Sequence, residues 1–485
     1  MKVNNSIQVL AIATTLTLTA CGSSGTSGVP DADSDATSIE QIPVDADTNN
    51  TSSEPLTTDV IDDNSNDQIP SGSESNTSAE NTNITGDENN DTVDNTENND
   101  TTLVVETISP GGTPTIDGNN LIFGNDPLRM TLGSGDSEIS GEVYPGDSRG
   151  RVPPSISNDG RFILFDTFAP NVVAGDNDNF LDVFLRDTTT GAVTQISLGT
   201  DGSQANGNSR ALDISADGRF LLFRSFAQNL IAGGVSGNSQ IYLHDSQTAV
   251  TTLVSAGTDG RGGQLGAFTG FISADGEVIV YQSSAPLVGQ QDTISLYLRS
   301  TGETRNIDLS QVLQTTELFA PDIHSMTPDG RFILLSCCVT EVNDFNVSVY
   351  TYDTTNDTVE LLPGAGIRNG NATMSDDGQI IVYGNGLLLD RSNGSVKELN
   401  LQNYRMLSPD GRWLPFSQLD AENNSVQFLR DNANDVVYET NRRIEGFTGD
   451  GKNAHLTTAR SDLGVTDTNS VFDVYLYDFP LSDLP

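Results

Sequence analysis

Seven times between Ser157 and Gly451 the chain writes Ser or Thr, one further residue, and then Asp-Gly. The first copy is Ser157-Asn158-Asp159-Gly160, running on into Arg161-Phe162-Ile163-Leu164-Phe165. The others sit at Asp217-Gly218, Asp275-Gly276, Asp329-Gly330, Asp377-Gly378, Asp410-Gly411 and Asp450-Gly451. Successive copies are 58, 58, 54, 48, 33 and 40 residues apart. Asp-Gly between apolar runs is a tight-turn signal, because glycine reaches positive φ freely and aspartate bonds its own following backbone. A recurring turn with no helical periodicity between copies leaves few folds for the chain.

Each unit divides into four short stretches of strand character, A to D. In the first unit they are Pro154-Ser155-Ile156, Arg161 to Asp166, Asp182 to Arg186, and Val193 to Ser197. The residue before each Ser or Thr is Ile156, Ile214, Ile272, Met326, Met374, Leu407 or Phe447. All are apolar, as a position packed between neighbouring sheets demands. Strand C places Phe184, Tyr242, Tyr297, Tyr350, Phe428 and Tyr475 in one register, with Leu387 in the shortest unit. Three residues on come Asp187, Asp245, Asp353, Asp390, Asp431 and Asp478, with Ser300 as the exception. An aspartate there caps the turn into strand D. The pattern predicts an all-β chain, a seven-bladed β-propeller of four-stranded antiparallel blades over 127–485.

The seventh unit has no strand D after Asp478, while Leu128 to Gly133 reads like the end of a strand D. We therefore expect the N-terminal strand to complete the last blade and close the ring, leaving no open sheet edge. Residues 103–126 contain Asp117-Gly118-Asn119-Asn120-Leu121-Ile122-Phe123, an imitation of the repeat. It reads as an extra hairpin, a linker, or part of an eighth blade.

Ile156 to Phe165, Ala169-Pro170-Asn171-Val172-Val173-Ala174-Gly175-Asp176 and Asp182 to Asp187, with their echoes at Ile214 to Phe223 and Ala227 to Ile231, resemble the TolB-like (WD40-like repeat) β-propeller family. The resemblance covers about 128–478. It implies a rigid ring used mainly to bind proteins or ligands, with a few enzymatic members. Some of those are lyases of acidic sugars whose metal is held by channel histidines. The three histidines of this chain, His244, His324 and His455, fall in different units. No HExxH helix is present. A non-enzymatic role is the expectation, with a metal-assisted carbohydrate-active enzyme of the same fold, a lyase or hydrolase, as the alternative.

Residues 1–20 have the basic start and short apolar run of a secretory signal. Leu18-Thr19-Ala20-Cys21 resembles a bacterial lipobox, which implies cleavage before Cys21 and its lipidation. Gly22 lacks the aspartate of inner-membrane retention, so the expected address is the outer membrane, on its periplasmic or cell-surface side. Residues 21–102 then hold 19 acidic residues and no Lys or Arg. Such a stretch buries too little apolar surface to order itself. It is expected to be a disordered tether reaching roughly 5–6 Å × √n before charge expansion. The 48 acidic and 22 basic residues beyond it leave a net −26, a sign that disfavours nucleic acid and anionic lipid as partners. A protein or an envelope glycan is the expected partner. Cys337-Cys338 reads as two small apolar residues or a vicinal disulfide.

The A–B and C–D turns are short, while the B–C loops and D–A connections are long and emerge on one side. Recognition usually sits on such loops. Two constellations fall there. Asp176, Asp178 and Asp182 in the first B–C loop, and Asp467, Asn469 and Asp473 in the seventh, are spaced oxygen donors of the kind Ca²⁺ uses, or plain polar turns. His324, Arg405 and Glu445, each three residues before its Ser or Thr, are candidates for a ligand site at the channel mouth.

Overall fold

A computed structural model describes residues 115–479, apart from 118, 124–126, 141–142, 145–154, 236, 257–265, 285–292, 310–320, 342–343, 365–370, 402 and 459–472. These belong to one compact unit, Asn99–Pro485. Cys21, the signal sequence and the acidic stretch lie outside the described residues.

The repeat is a small hydrogen-bonded machine built the same way seven times. Ser157 Oγ donates to Asp159 Oδ1 (2.7 Å) and accepts from Phe162 N (2.9 Å), while Asp159 Oδ1 also accepts from Arg161 N (3.0 Å). Gly160 sits at φ 75° and donates to Ser157 O. Ser215, Ser273, Thr327, Ser375, Ser408 and Thr448 each donate to their own Asp at 2.5–2.8 Å. The glycine has a second reason to be there. A Cβ on Gly218 would stand 2.3 Å from Phe162 of the preceding unit, and one on Gly276 2.3 Å from Phe220. Each turn is therefore also a contact between blades.

The all-β expectation holds, with seven blades of four antiparallel strands. Blade two is the cleanest: Ser209–Ile214, Phe220–Ser225, Gln240–Asp245 and Val250–Leu253. The A strands of successive blades touch one another, which puts them innermost, around the axis. There the residue after each Ser or Thr links to the next blade through the backbone. Asn158 N bonds Ala216 O, Ala216 N bonds Ala274 O, Ala274 N bonds Pro328 O, and Asp376 N bonds Pro409 O. Asp450 N returns to Asn158 O at 3.0 Å and closes the circle. Pro328 and Pro409 have no N–H to pass on.

Ring closure follows the expected route. Leu128–Arg129 pairs with Asp473–Asp478 (Leu128 opposite Leu476, Arg129 opposite Tyr475) and serves as strand D of blade seven. Thr115–Asp117 and Asn120–Ile122 form a hairpin that adds, in parallel, to Val436–Thr440 on the outer edge of blade six. It is no eighth blade. Leu121 and Phe123 drive the docking, buried with Trp413, Leu429, Tyr438 and Phe479.

Two expectations need correction. Strand A of blade one is split: Val143–Tyr144 pairs with Thr167 and Asp166, and Ser155–Ile156 with Leu164 and Ile163. In blade three Val278 faces Leu298 as Phe220 faces Asp245, so Leu298 holds the aspartate position and Ser295, rather than Tyr297, the aromatic one. The capping aspartate that this unit lacks also pairs elsewhere with an arginine after the Asp-Gly: Arg161–Asp187, Arg219–Asp245, Arg331–Asp353 and Arg412–Asp431, at 2.6–3.0 Å. Blade three exchanges the charges, Glu277 facing Arg299 at 3.5 Å. Cys337 is buried and packed with Ile333 and Tyr350.

Candidate functional site

The long-loop face is held rigid where it begins. Thr167 and Ser225, the last residues of strand B in blades one and two, accept from the N–H two residues on, at Ala169 and Ala227. Asn171 then accepts from Ser140 N and donates to Glu138 O, and Asn229 accepts from Asn206 N and donates to Gln204 O. Each asparagine thus ties its B–C loop to the connection entering its own blade. These bonds explain the Ala-x-Asn phrase, and a rigid loop base is what a recognition surface needs.

Between Asn171 and strand C the first of these loops turns back on its own blade. It brings Asp176, Asp178 and Asp182 together, with one carboxylate oxygen of each within 4.8 Å of the others. Asp182 is fully buried, at 0% exposure; Asp176 and Asp178 are half-buried. Asp182 Oδ1 accepts from Ser197 Oγ at 2.5 Å, and Asp178 Oδ1 from Phe180 N at 2.8 Å. Asp182 Oδ2 is buried and meets no hydrogen-bond partner. Burial pushes the Asp182 carboxyl up to about 6, against bonds from Ser197 and Gln195 and with Asp178 and Asp176 beside it. Burial and the Asp178 charge push Asp176 up as well. Two carboxylates at such a distance repel by about 3 kcal/mol at an effective dielectric of 20. Either protons or a cation must relieve a cluster of three. Every donor is an oxygen, which suits Ca²⁺ and other hard cations.

In blade seven, Asp467 and Asn469 lie outside the described residues. Asp473 opens strand C there as Asp182 does in blade one, and it is fully satisfied. Arg129 reaches it with Nη2, Thr131 Oγ1 donates to its Oδ1 at 2.7 Å, and Glu138 holds the same guanidinium through two 2.9 Å bonds. Burial works against the Arg129 charge, but Glu138 and Asp473 more than offset it, and its pKa rises.

The channel-mouth residues divide in the same plain way. Arg405 and Glu445 come together, with Arg405 Nε 3.3 Å from Glu445 Oε2, and Arg443 adds a second guanidinium at 2.6 Å. Burial and Arg443 lower the Arg405 pKa, and Glu445 opposes them. His324 stands apart, in the bulge between Ile323 and Ser325, and its Nε2 meets Ser336 Oγ of its own blade at 2.7 Å. His244 contacts Thr251 on strand D of blade two, and His455 is buried in strand B of blade seven. The histidines thus serve three separate neighbourhoods. Among the described residues the acidic triad is the one group of side chains that could hold a metal ion.

Three residues of this face escape a reading by charge and spacing. Phe168, Phe180 and Phe226 are 48%, 39% and 49% exposed. Phe168 follows the Thr167–Asp182 pair, Phe180 precedes Leu181, and Asn208 joins Leu181 N to Phe226 N through its side-chain and backbone oxygens. The signal was present: Thr-Phe-Ala-Pro-Asn and Ser-Phe-Ala-Gln-Asn carry the ring at one position of a repeated phrase. A further stretch, Gly146-Asp147-Ser148-Arg149-Gly150, has GxSxG spacing and lies outside the described residues.

No family model matches the chain, and no curated protein matches it. Solved structures similar to it include TolB from Acinetobacter baumannii, at 15% identity and TM-score 0.35, covering 67% of this chain and 65% of that one, under two thirds of its length. An oligogalacturonate lyase in complex with manganese aligns at 14% identity and TM-score 0.47, over 77% of this chain and 98% of that one. The β-propeller domain of a protease from Pyrococcus furiosus aligns at 12% identity and TM-score 0.44, over 70% and 96%.

Proposed function

We propose that this chain is a lipid-anchored scaffold of the bacterial outer membrane whose ring binds a protein or an envelope glycan through its long-loop face. Cys21 carries the lipid and the acidic stretch serves as the tether. The observation that carries the reading is the contrast between the two faces. Every described Asp-Gly turn is internally bonded, whereas Phe168, Phe180 and Phe226 stand exposed together on the opposite side, on loops pinned by Asn171 and Asn229. Exposed aromatic rings clustered on a rigid base are a feature of recognition surfaces.

Photo-crosslinking in native envelopes tests this. Phe168→Ser with Phe226→Ser is expected to abolish the crosslinked product, while Arg161→Ala on the turn face leaves it in place. Equal products from both variants would end the proposal. The anchor has its own test: Cys21→Ser is expected to lose incorporation of labelled palmitate and to leave the membrane fraction.

A second reading, a metal-assisted enzyme acting on carbohydrate, draws on the acidic triad and the Arg405–Glu445 pair. Chain cleavage of envelope polysaccharide that is lost with Asp182→Asn, but kept with the phenylalanine variant, would favour it over the scaffold.

A further inference from the structure

Strand C of a blade opens with a residue that is met by a hydroxyl two places beyond a fixed strand D position. Three blades solve this slot in three ways. In blade two Gln240 opens the strand, Ser255 Oγ donates to its Oε1 at 2.7 Å, and the strand D position is Leu253, opposite Tyr242. Gln240, Ser255 and Leu253 are all neutral. In blade seven Asp473 opens the strand, Thr131 supplies the hydroxyl, and the strand D position is Arg129, opposite Tyr475. The charge is met by a side chain of the protein itself.

Blade one keeps the aspartate and omits the arginine. Asp182 opens the strand, Ser197 supplies the hydroxyl, and the strand D position is Gln195, opposite Phe184. The likeness extends to the backbone: Val183 N bonds Ser197 Oγ, and Val474 N bonds Thr131 Oγ1, both at 3.1 Å. Gln195 bonds the Asp182 carboxylate but brings no charge, and its Nε2 also stands 2.7 Å from Gln204 Oε1. In place of a guanidinium, two more carboxylates, Asp176 and Asp178, close on Asp182. The buried Asp182 Oδ2 is left without a hydrogen-bond partner.

We propose that Asp176, Asp178 and Asp182 bind one Ca²⁺ ion, which meets the Asp182 charge in blade one as Arg129 meets the Asp473 charge in blade seven. The donor set is all oxygen, and its irregular placement is of the kind that Ca²⁺ accepts and Mg²⁺ does not. Three carboxylates fill part of the six to eight positions Ca²⁺ takes, and water or neighbouring carbonyls supply the rest. The ion would fasten the B–C loop that carries Phe180 onto strand C. This inference is independent of what the face binds.

Calcium titrated calorimetrically into the full-length protein tests it, beside Asp182→Asn, Asp178→Asn and Gln195→Arg. Weak binding along the acidic stretch is common to all four proteins, so the difference between them isolates the ring. The wild type is expected to show one saturable site that persists against a tenfold excess of Mg²⁺. Both asparagine variants should weaken it at least tenfold. Gln195→Arg, which gives blade one the residue of blade seven, should abolish it while the circular dichroism of the ring stays unchanged. A wild type with no saturable site beyond the binding shared with Asp182→Asn overturns the proposal. So does a Gln195→Arg protein, folded, that binds calcium as the wild type does.

Discussion

Blades one and seven are neighbours built on one plan, and they differ in where a positive charge comes from. Blade seven takes its strand D from the far end of the domain and with it Arg129, a permanent cation between Asp473 and Glu138. Blade one takes its strand D from the local chain and gains only Gln195, so Asp182 faces Asp176 and Asp178 with no lysine or arginine paired to them among the described residues. A built-in charge makes closure of the ring independent of solutes. The proposed Ca²⁺ would make the loop of blade one depend on them. The lesson is that a repeat can hold its backbone plan constant while a single strand D position decides whether an arginine meets the strand C aspartate.

The largest effect is expected where the built-in cation is removed. Arg129→Gln strands Asp473 at 0% exposure and frees Glu138, and breaking a buried pair in this way costs about 3–5 kcal/mol. Chemical denaturation should register that loss in calcium and in chelator alike. A small loss would mean that the strand, and not its arginine, closes the ring.

Blade seven also carries an acid sensitivity that blade one lacks. His455 is buried with Nδ1 unpartnered, where blade one has Leu164. Burial pushes its pKa down to about 3 from an ordinary 6.5. Below 6.5 the unfolded imidazole takes up a proton that the folded one refuses until about 3, so protonation favours the unfolded chain. Stability should fall by about 1.4 kcal/mol per pH unit through that window. His455→Leu is expected to remove this part of the slope, giving roughly 2 kcal/mol relative gain at pH 5. An unchanged slope would show that the folded imidazole can take its proton.

The corresponding aspartates should respond with opposite signs. In chelator, Asp182→Asn relieves the crowding of three carboxylates and should raise stability by about 1 kcal/mol. Asp473→Asn deprives Arg129 of its buried partner and should lower it. The same sign for both would erase the distinction between the blades. The smallest effect belongs to the exchanged pair of blade three. Glu277–Arg299 is about a third exposed on both sides, and Glu277→Ala should change the unfolding free energy by no more than about 0.5 kcal/mol.

Local signals made the ring readable. Asp-Gly after Ser or Thr encodes a turn by chemistry confined to six residues, and the apolar residue before it encodes burial between blades. Closure was readable because Leu128 to Gly133 looks like a strand end with no blade of its own. What stayed hidden depends on register and on distance along the chain. Thr293–Leu298 lies two residues from where its tyrosine suggests, because Leu298 replaces the aspartate that marks the other strands. Arg129 and Asp473 are 344 residues apart, and no spacing rule joins them. Of the proposed ligands, Asp176, Asp178 and Asp182 were legible as a cluster, Asp473 was placed in a like role, and the arginine that fills its slot came only from strand pairing.

The most direct measurement is an anomalous difference map from a crystal of the ring soaked in a lanthanide that replaces Ca²⁺. The account predicts a peak touching Asp176, Asp178 and Asp182, and none at Asp473, where the Arg129 guanidinium stands. A peak at Asp473, or clear density for a bare triad in lanthanide-saturated crystals, would contradict it.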